Sequence, residues 1–319
     1  MFESSVYDGV YRPFNVEQSF DDVQTYFLDE FARIHHEHRQ TMSAVPLPWP
    51  LPDVLHKLVQ KSSGYFIYAS TVIKFIDDRN YRPTERLAIV MKVQTESDSA
   101  FEALDQLYIS ILSTALIAKQ PQLIPMLCAL SNFDLPPYFL DRLLGVENGE
   151  SRLFLRGLHS VFEVPPEEQE KESLGPISAH HASFYDFLHD PKRSQNFYVG
   201  GLPDRMDLAR SILRLYAHEF PEDYDWNTPY SRSPIIGWPH FIATLPPSAE
   251  LLPLVQSVHL NYITELHKDS LKTMLTWMRK SHPAPEDVIQ LWEDYEYFFF
   301  IEREAIPSPF LLAFSSFFA

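Results

Sequence analysis

Ile177-Ser178-Ala179-His180-His181-Ala182-Ser183-Phe184-Tyr185-Asp186-Phe187-Leu188 carries an extended apolar run straight into a histidine pair and starts a short amphipathic helix behind it. Upstream, His159–Val164 is also β-capable, and the polar segment 165–175 between the two runs is rich in Glu. Two such runs joined by a hydrophilic loop predict a β-hairpin. Further upstream, Leu123–Leu130, Pro137–Leu144 and Glu150–Leu158 are brief apolar-periodic stretches. They are separated by Asn-Phe-Asp-Leu-Pro and by Gly145…Gly149, and predict short helices. Three helices and a hairpin are the winged-helix plan. The Glu-rich loop is then the wing, residues 121–200 form one unit, and the helix from Ser183 to Leu188 closes it.

Long helical patterns flank this unit on both sides. Ser19-Phe-Asp-Asp22 has the order of a capping box, with Asp where Glu is usual. Val23, Phe27, Phe31 and Ile34 follow at near-helical spacing as far as about Arg39. Prolines 46, 48, 50 and 52 make 42–52 a linker, with Pro52 suited to the first turn of the next helix. That helix carries Leu55, Leu58 and Val59 and stops near Ser63-Gly64. Tyr65–Ile76 is apolar nearly all round, which predicts a helix buried on most sides. Asp77-Asp78 ends it unfavourably for the helix dipole, and Pro83 opens another element. Leu104, Tyr108, Ile111 and Ala115 form a further stripe up to Pro121. Beyond the hairpin, Asp204–Phe220, Asn261–Arg279 and Pro285–Ile301 are helical, and Pro221–Pro247 is irregular and rich in Pro and Trp. No fixed-period repeat stands out. The expected fold is mainly α: helical bundle regions flanking a winged-helix domain with one small β-hairpin.

The chain has 319 residues, 45% of them apolar and 14% aromatic, enough for more than one core. Its 43 acidic and 26 basic residues leave a net charge of -17, which repels phosphate backbones and anionic lipid, so neither nucleic acid nor membrane is an expected partner. Cys128 is the single cysteine, which excludes an internal disulfide and points to a reducing, cytoplasmic setting. Met-Phe-Glu-Ser lacks the basic and apolar regions of a secretory signal. Tyr65–Ile76 and Phe310–Ala319 are apolar but too short to span a bilayer.

Taken in order, several segments resemble the NACHT proteins of fungi, within the STAND class of signalling NTPases. Phe14-Asn-Val-Glu…Phe20-Asp-Asp-Val resembles the last strand and helix of a NACHT core. Gly64–Ile76, Tyr81–Leu87 and Ala103–Tyr108 are similar to the helical domain of the family. Arg156–Val161 and His181–Leu188 resemble its wing strands and following helix. The resemblance spans roughly residues 1 to 300. It implies a core tail at 1–41, a helical domain at 42–120, a winged-helix domain at 121–200 and a second helical region at 201–319. It also implies that His181 contacts a phosphate of bound ADP in a longer relative.

Two departures shape that expectation. A phosphate loop needs Gly-x-x-x-x-Gly-Lys-Ser/Thr, so that backbone N–H groups crowd the phosphates. None of the 9 glycines stands in that pattern, and Lys61-Ser62 has no glycine ahead of it. No apolar strand ends in paired acids, so no magnesium-holding Asp is present. The chain also reads His180-His181-Ala182 where related switches often read Met-His-Asp. The expected role is therefore that of a regulatory signalling fragment that relays nucleotide state without its own ATPase site. No cofactor is expected for this chain alone, ATP or ADP and Mg being implied only for a full-length relative. Protein partners or self-association are expected, and the alternative role is a free-standing interaction scaffold or decoy.

His181 is the one residue nominated for nucleotide contact, set against a histidine that merely caps a strand end. His35-His36-Glu37-His38 puts two histidines one helical turn apart, but zinc needs three or four converging ligands, so a solvated helix face is the expectation and no metal is assigned. No serine lies in Gly-x-Ser-x-Gly, and no catalytic residue is assigned. Trp226, Tyr230 and Trp238 among prolines could line a peptide groove, although packing is the commoner use of such residues. Arg152 and Arg156 beside a Glu-rich wing make a poor DNA reader.

Overall fold

A computed structural model describes residues 16–92, 100–118, 122–166, 175–217, 237–259, 262–263 and 266–305. The described chain is mainly helical, with one two-stranded sheet. It divides into two compact units, each drawing on separated stretches of sequence.

The first unit comprises residues 1–119, 155–163 and 179–197. Helix α1 (Val16–Glu37) buries the predicted stripe, with Val23, Phe27 and Ile34 fully covered and Phe31 nearly so. Burying each phenylalanine contributes about 2–3 kcal/mol. The expected capping box lies inside this helix. Ser19 Oγ donates instead to Gly64 O at 2.8 Å, so the hydroxyl ties α1 to the end of a neighbouring helix. A short turn of helix, α2 (Arg39–Met42), leads into the proline-rich bend. Pro52 opens α3 (Pro52–Ser62), as its missing N–H favours. The helix ends on Ser63 at φ 48° and Gly64 at φ 78°. A Cβ at Gly64 would run into Ser19 Oγ, so left-handed backbone and close approach both require glycine there.

Helix α4 (Phe66–Ile76) is the centre of this unit. Tyr68, Ala69, Thr71, Val72, Ile73, Phe75 and Ile76 are all buried, and α1, α3, α5 (Pro83–Lys92) and α6 (Ala100–Ala118) pack on it. The acids that follow α4 are resolved by distant partners. Asp77 Oδ1 receives His38 Nε2 and Asp77 Oδ2 receives Arg33 Nη2, each at 2.8 Å. Asp78 Oδ2 receives Arg86 Nη2 at 2.9 Å, with both side chains almost fully buried. The Arg86 guanidinium lies 3.7 Å from the Tyr81 ring centroid and 4.4 Å from that of Phe75. Its Nε and Nη1 have no hydrogen-bond partner, so aromatic faces are their company.

Residues 155–163 and 179–197 complete the unit. A 3₁₀ turn at Arg156–Leu158 packs on α6. Strand β1 (Phe162–Glu163) pairs with β2 (Ser178–Ala179). Helix α10 (Ser183–Leu188) buries Phe184, Phe187 and Leu188, with both phenylalanine rings against Tyr108, and α11 (Pro191–Ser194) follows. Arg193 clamps Asp105 of α6 through two bonds of 2.9 and 2.8 Å.

The second unit takes residues 120–154, 164–178 and 198–319. Helices α7 (Leu123–Asn132) and α8 (Pro137–Leu144) pack on each other and on α12 (Leu202–Leu215). The buried Asp141 carboxylate accepts the N–H groups of Gly149 and Ser151, each at 2.7 Å, and so caps α9 (Glu150–Leu155) from outside it. Helices α13 (Trp238–Ala243), α14 (Leu252–Gln256), α15 (Lys268–Met278) and α16 (Glu286–Ala305) complete it. Trp238 packs between Tyr216 and Trp292, and Trp277 Nε1 donates to Leu245 O at 2.7 Å. Trp238 is thus a packing residue. Trp226, Tyr230, most of the Glu-rich loop and the strand expected at Phe14 lie outside the described residues.

Helix α1 shares one unit with the 42–120 helices, and residues 121–200 are divided between the two units. Among the described residues, no helix is long and apolar enough to cross a membrane.

Candidate functional site

The two expected strands shrink to pairs of residues because His159 does other work. It follows a 3₁₀ turn with helical dihedrals, φ −57° and ψ −20°, and its ring turns back on the fold. His159 Nε2 meets Lys74 O at 2.7 Å, and His159 Nδ1 meets Arg156 O at 3.0 Å. Lys74 sits in the last turn of α4, so this ring pins the end of that helix.

His180 closes the arrangement. Its backbone N–H donates to Val161 O at 3.0 Å, extending the strand pair by one bond. Its Nε2 donates to His159 O at 2.9 Å. Lys74 Nζ stands against the same ring, 3.3 Å from Nδ1 and 3.5 Å from Nε2. Lys74, His159 and His180 therefore form a closed ring: lysine carbonyl from one imidazole, that residue's carbonyl from the next imidazole, and that ring from the lysine ammonium. Burial pushes the His180 imidazole below its ordinary range, and the Lys74 charge adds to this against the opposing bond to His159 O.

His181 faces the other way chemically. Its Nδ1 accepts the Ser183 N–H at 3.1 Å and lies 3.0 Å from Ser183 Oγ. An imidazole nitrogen that accepts carries no proton, so the proton of this ring sits on Nε2. Tyr108 Oη lies 3.3 Å from Ser183 Oγ and can donate to it, which aligns tyrosine, serine and histidine as one donor chain. Among the described residues, His181 Nε2 has no partner, and the residue is exposed. One ring nitrogen of His181 thus accepts a backbone N–H at the start of α10, and the side chain is otherwise exposed.

The other nominated groups are placed elsewhere. His35 Nε2 bonds Val45 O at 3.0 Å while His38 goes to Asp77, so the two histidines serve separate partners. Among the described residues, no three His, Cys, Asp or Glu side chains gather as a metal site would require. Cys128 is buried, donates to Val199 O at 3.7 Å, and burial pushes its thiol up to about 12. Arg152 Nη1 donates to Pro165 O at 2.6 Å. Lys74 and His159 fall within the Gly64–Ile76 and Arg156–Val161 stretches, but 85 residues separate them and no spacing in the sequence pairs them. Comparison of the chain with protein-family models, curated proteins and solved structures finds no match.

Proposed function

We propose that this chain is a regulatory part of a NACHT-type STAND switch, relaying nucleotide state through its helical and winged-helix regions without an ATPase site of its own. The observation that carries the reading is the Nε2–H of His181, held at a strand–helix junction with no acceptor among the described residues. In such a switch a histidine at this junction contacts a phosphate of ADP, and the domain interface shifts with the phosphate present. The order of short helices, strand pair and closing helix supports the winged-helix element. The missing Gly-x-x-x-x-Gly-Lys-Ser/Thr supports the lack of turnover.

Calorimetry with ADP and ATP, together with a phosphate-release assay, tests the reading. The isolated chain is expected to show no turnover and no micromolar nucleotide binding; either one sinks it. Sequencing the genomic DNA upstream of the Met1 codon adds a second check: an in-frame phosphate-loop segment supports the switch reading, and its absence favours a scaffold.

A free-standing scaffold is the second reading, and a patch of exposed aromatic side chains favours it. Tyr65, Phe66 and Phe101 are each about half exposed or more, and Tyr65 and Phe101 touch at 6.0 Å between centroids. Light scattering distinguishes it: concentration-dependent association weakened by Phe101→Ser supports the scaffold, and a monodisperse monomer that captures no partner removes it.

A further inference from the structure

We propose that His159 is a protonation-sensitive latch: as an imidazolium it holds the end of α4 to the 3₁₀ turn, and on losing a proton it releases one side. Both ring nitrogens face backbone carbonyl oxygens, Nε2 towards Lys74 O at 2.7 Å and Nδ1 towards Arg156 O at 3.0 Å. A carbonyl oxygen only accepts, and a neutral imidazole has a single N–H. Both contacts are therefore hydrogen bonds only while the ring carries two protons. In the neutral ring one nitrogen turns its lone pair on an oxygen, and that contact becomes repulsive. The side chain is about one-third exposed, so water can take and return the proton.

The surroundings favour the cation in two further ways. Lys74 O is one of the last carbonyls of α4, and the Asp78 N–H that a continued helix would bring to it goes to Ile76 O instead. A cation donating there meets the negative end of the helix dipole, beside which Asp77 and Asp78 add like charge. Asp78 Oδ2 also lies 4.0 Å from His159 Nδ1. The charged and titratable groups around the ring are Lys74 of α4, Asp78 after it, and Arg86 of α5 on that same carboxylate. Arg156 of its own turn, Glu163 of β1 and His180 beside β2 complete them. Helix α6 meets the turn at Ala115, in a stretch with no ionisable side chain. Lys74 and Arg156 oppose the charge, but their cationic ends are on flexible stems, whereas their carbonyls are fixed in the backbone. Burial holds His180 towards neutrality, so it adds little to the opposition. Because the folded chain favours the charged ring, the latch is strongest on the acid side of the histidine range and is lost as pH rises.

The test is an NMR titration of the full chain between pH 5.5 and 8.5, with the exposed His56 ring as internal reference. Ring nitrogen resonances report the protons on His159. Hydrogen exchange of the Val161 and His180 amides, corrected for its intrinsic pH dependence, reports the turn and the strand pair beside it. His159 is expected to keep both ring protons at a pH where His56 has become neutral. Amide protection is expected to fall about threefold or more as His159 then loses one. His159→Gln, which does not titrate, is expected to show no such fall. A His159 ring that turns neutral before His56 overturns the latch, as does protection that ignores its titration. The same fall in His159→Gln also overturns it. Should that variant not fold, the two measurements on the native chain still decide.

Discussion

Asp77 shows how much of this fold is decided atom by atom. Burial raises its carboxyl, but the hydrogen bonds from His38 and Arg33, with the charge of Arg33, outweigh burial and leave it below its ordinary 3.8. A depressed folded value means that the stabilisation is complete above the unfolded value and is lost as pH falls through the folded one. Asp77→Asn should therefore destabilise the protein by about 1 kcal/mol at pH 7, discounted for the partly exposed Arg33, and the difference should shrink on acidification below 3.8. Urea unfolding of both proteins across pH 2.5–7 measures it; a constant difference contradicts the assignment. Cys128 gives a second residue-scale expectation. With its thiol pushed up to about 12, alkylation by iodoacetamide at pH 8 should be negligible in the folded chain and prompt in urea. Mass spectrometry of the modified fraction reports it. The sequence puts Cys128 in the apolar-periodic stretch Leu123–Leu130 and makes Asp77-Asp78 an awkward helix ending. It could not show that Arg33 and Arg86 resolve the acids, because those pairings depend on which helices touch.

At the scale of elements, apolar spacing was a dependable guide. The stripes on α1 and α3 bury as their periodicity predicts, as do Leu104, Tyr108 and Ile111 of α6, because packing rewards the same 3.6-residue spacing that the helix imposes. The strands were legible only in part. His159–Val164 is apolar enough for a strand, yet His159 uses its ring to hold Lys74 O and Arg156 O from a 3₁₀ turn, leaving Phe162–Glu163 to pair. Ser19 likewise has a capping sequence, and the close approach of Gly64 gives its hydroxyl a different acceptor. The buried Arg86–Asp78 pair offers a sharp test of element packing. Removing one partner strands a buried charge, at a cost of about 3–5 kcal/mol. Arg86→Met and Asp78→Asn should each lower stability strongly, while the double variant should recover much of the loss. A double variant as unstable as the sum of the singles would show that the two side chains act independently.

For the whole molecule, the chain interleaves its two units instead of finishing one before beginning the next. The first unit draws residues 155–163 and 179–197 back to helices that ended by 118. A fragment ending at Lys119 would expose Tyr108 and leave Asp105 without Arg193, whereas a fragment ending at Phe197 contains every segment of that unit. The 1–197 fragment should be recovered with markedly higher helicity and a cooperative melt, and the 1–119 fragment without one; circular dichroism decides. A cooperative melt in 1–119 would show that the returning segments are dispensable. Nothing local in the sequence announces this return, since it is set by contacts across tens of residues.

The ring formed by Lys74, His159 and His180 has a temporal side. Its bonds span 85, 21 and 106 residues, so none can form while a polypeptide is still short. Two long loops must close before the last bond is made, and each closure carries an entropic cost that only the finished packing offsets. The closing of this ring is consequently a late event in the folding of the chain. A chain halted before residue 180 has Lys74 and His159 in its sequence and still lacks the residue that closes the ring. The ring is in this sense a mark of folding, present only in copies that have brought residues 74, 159 and 180 together.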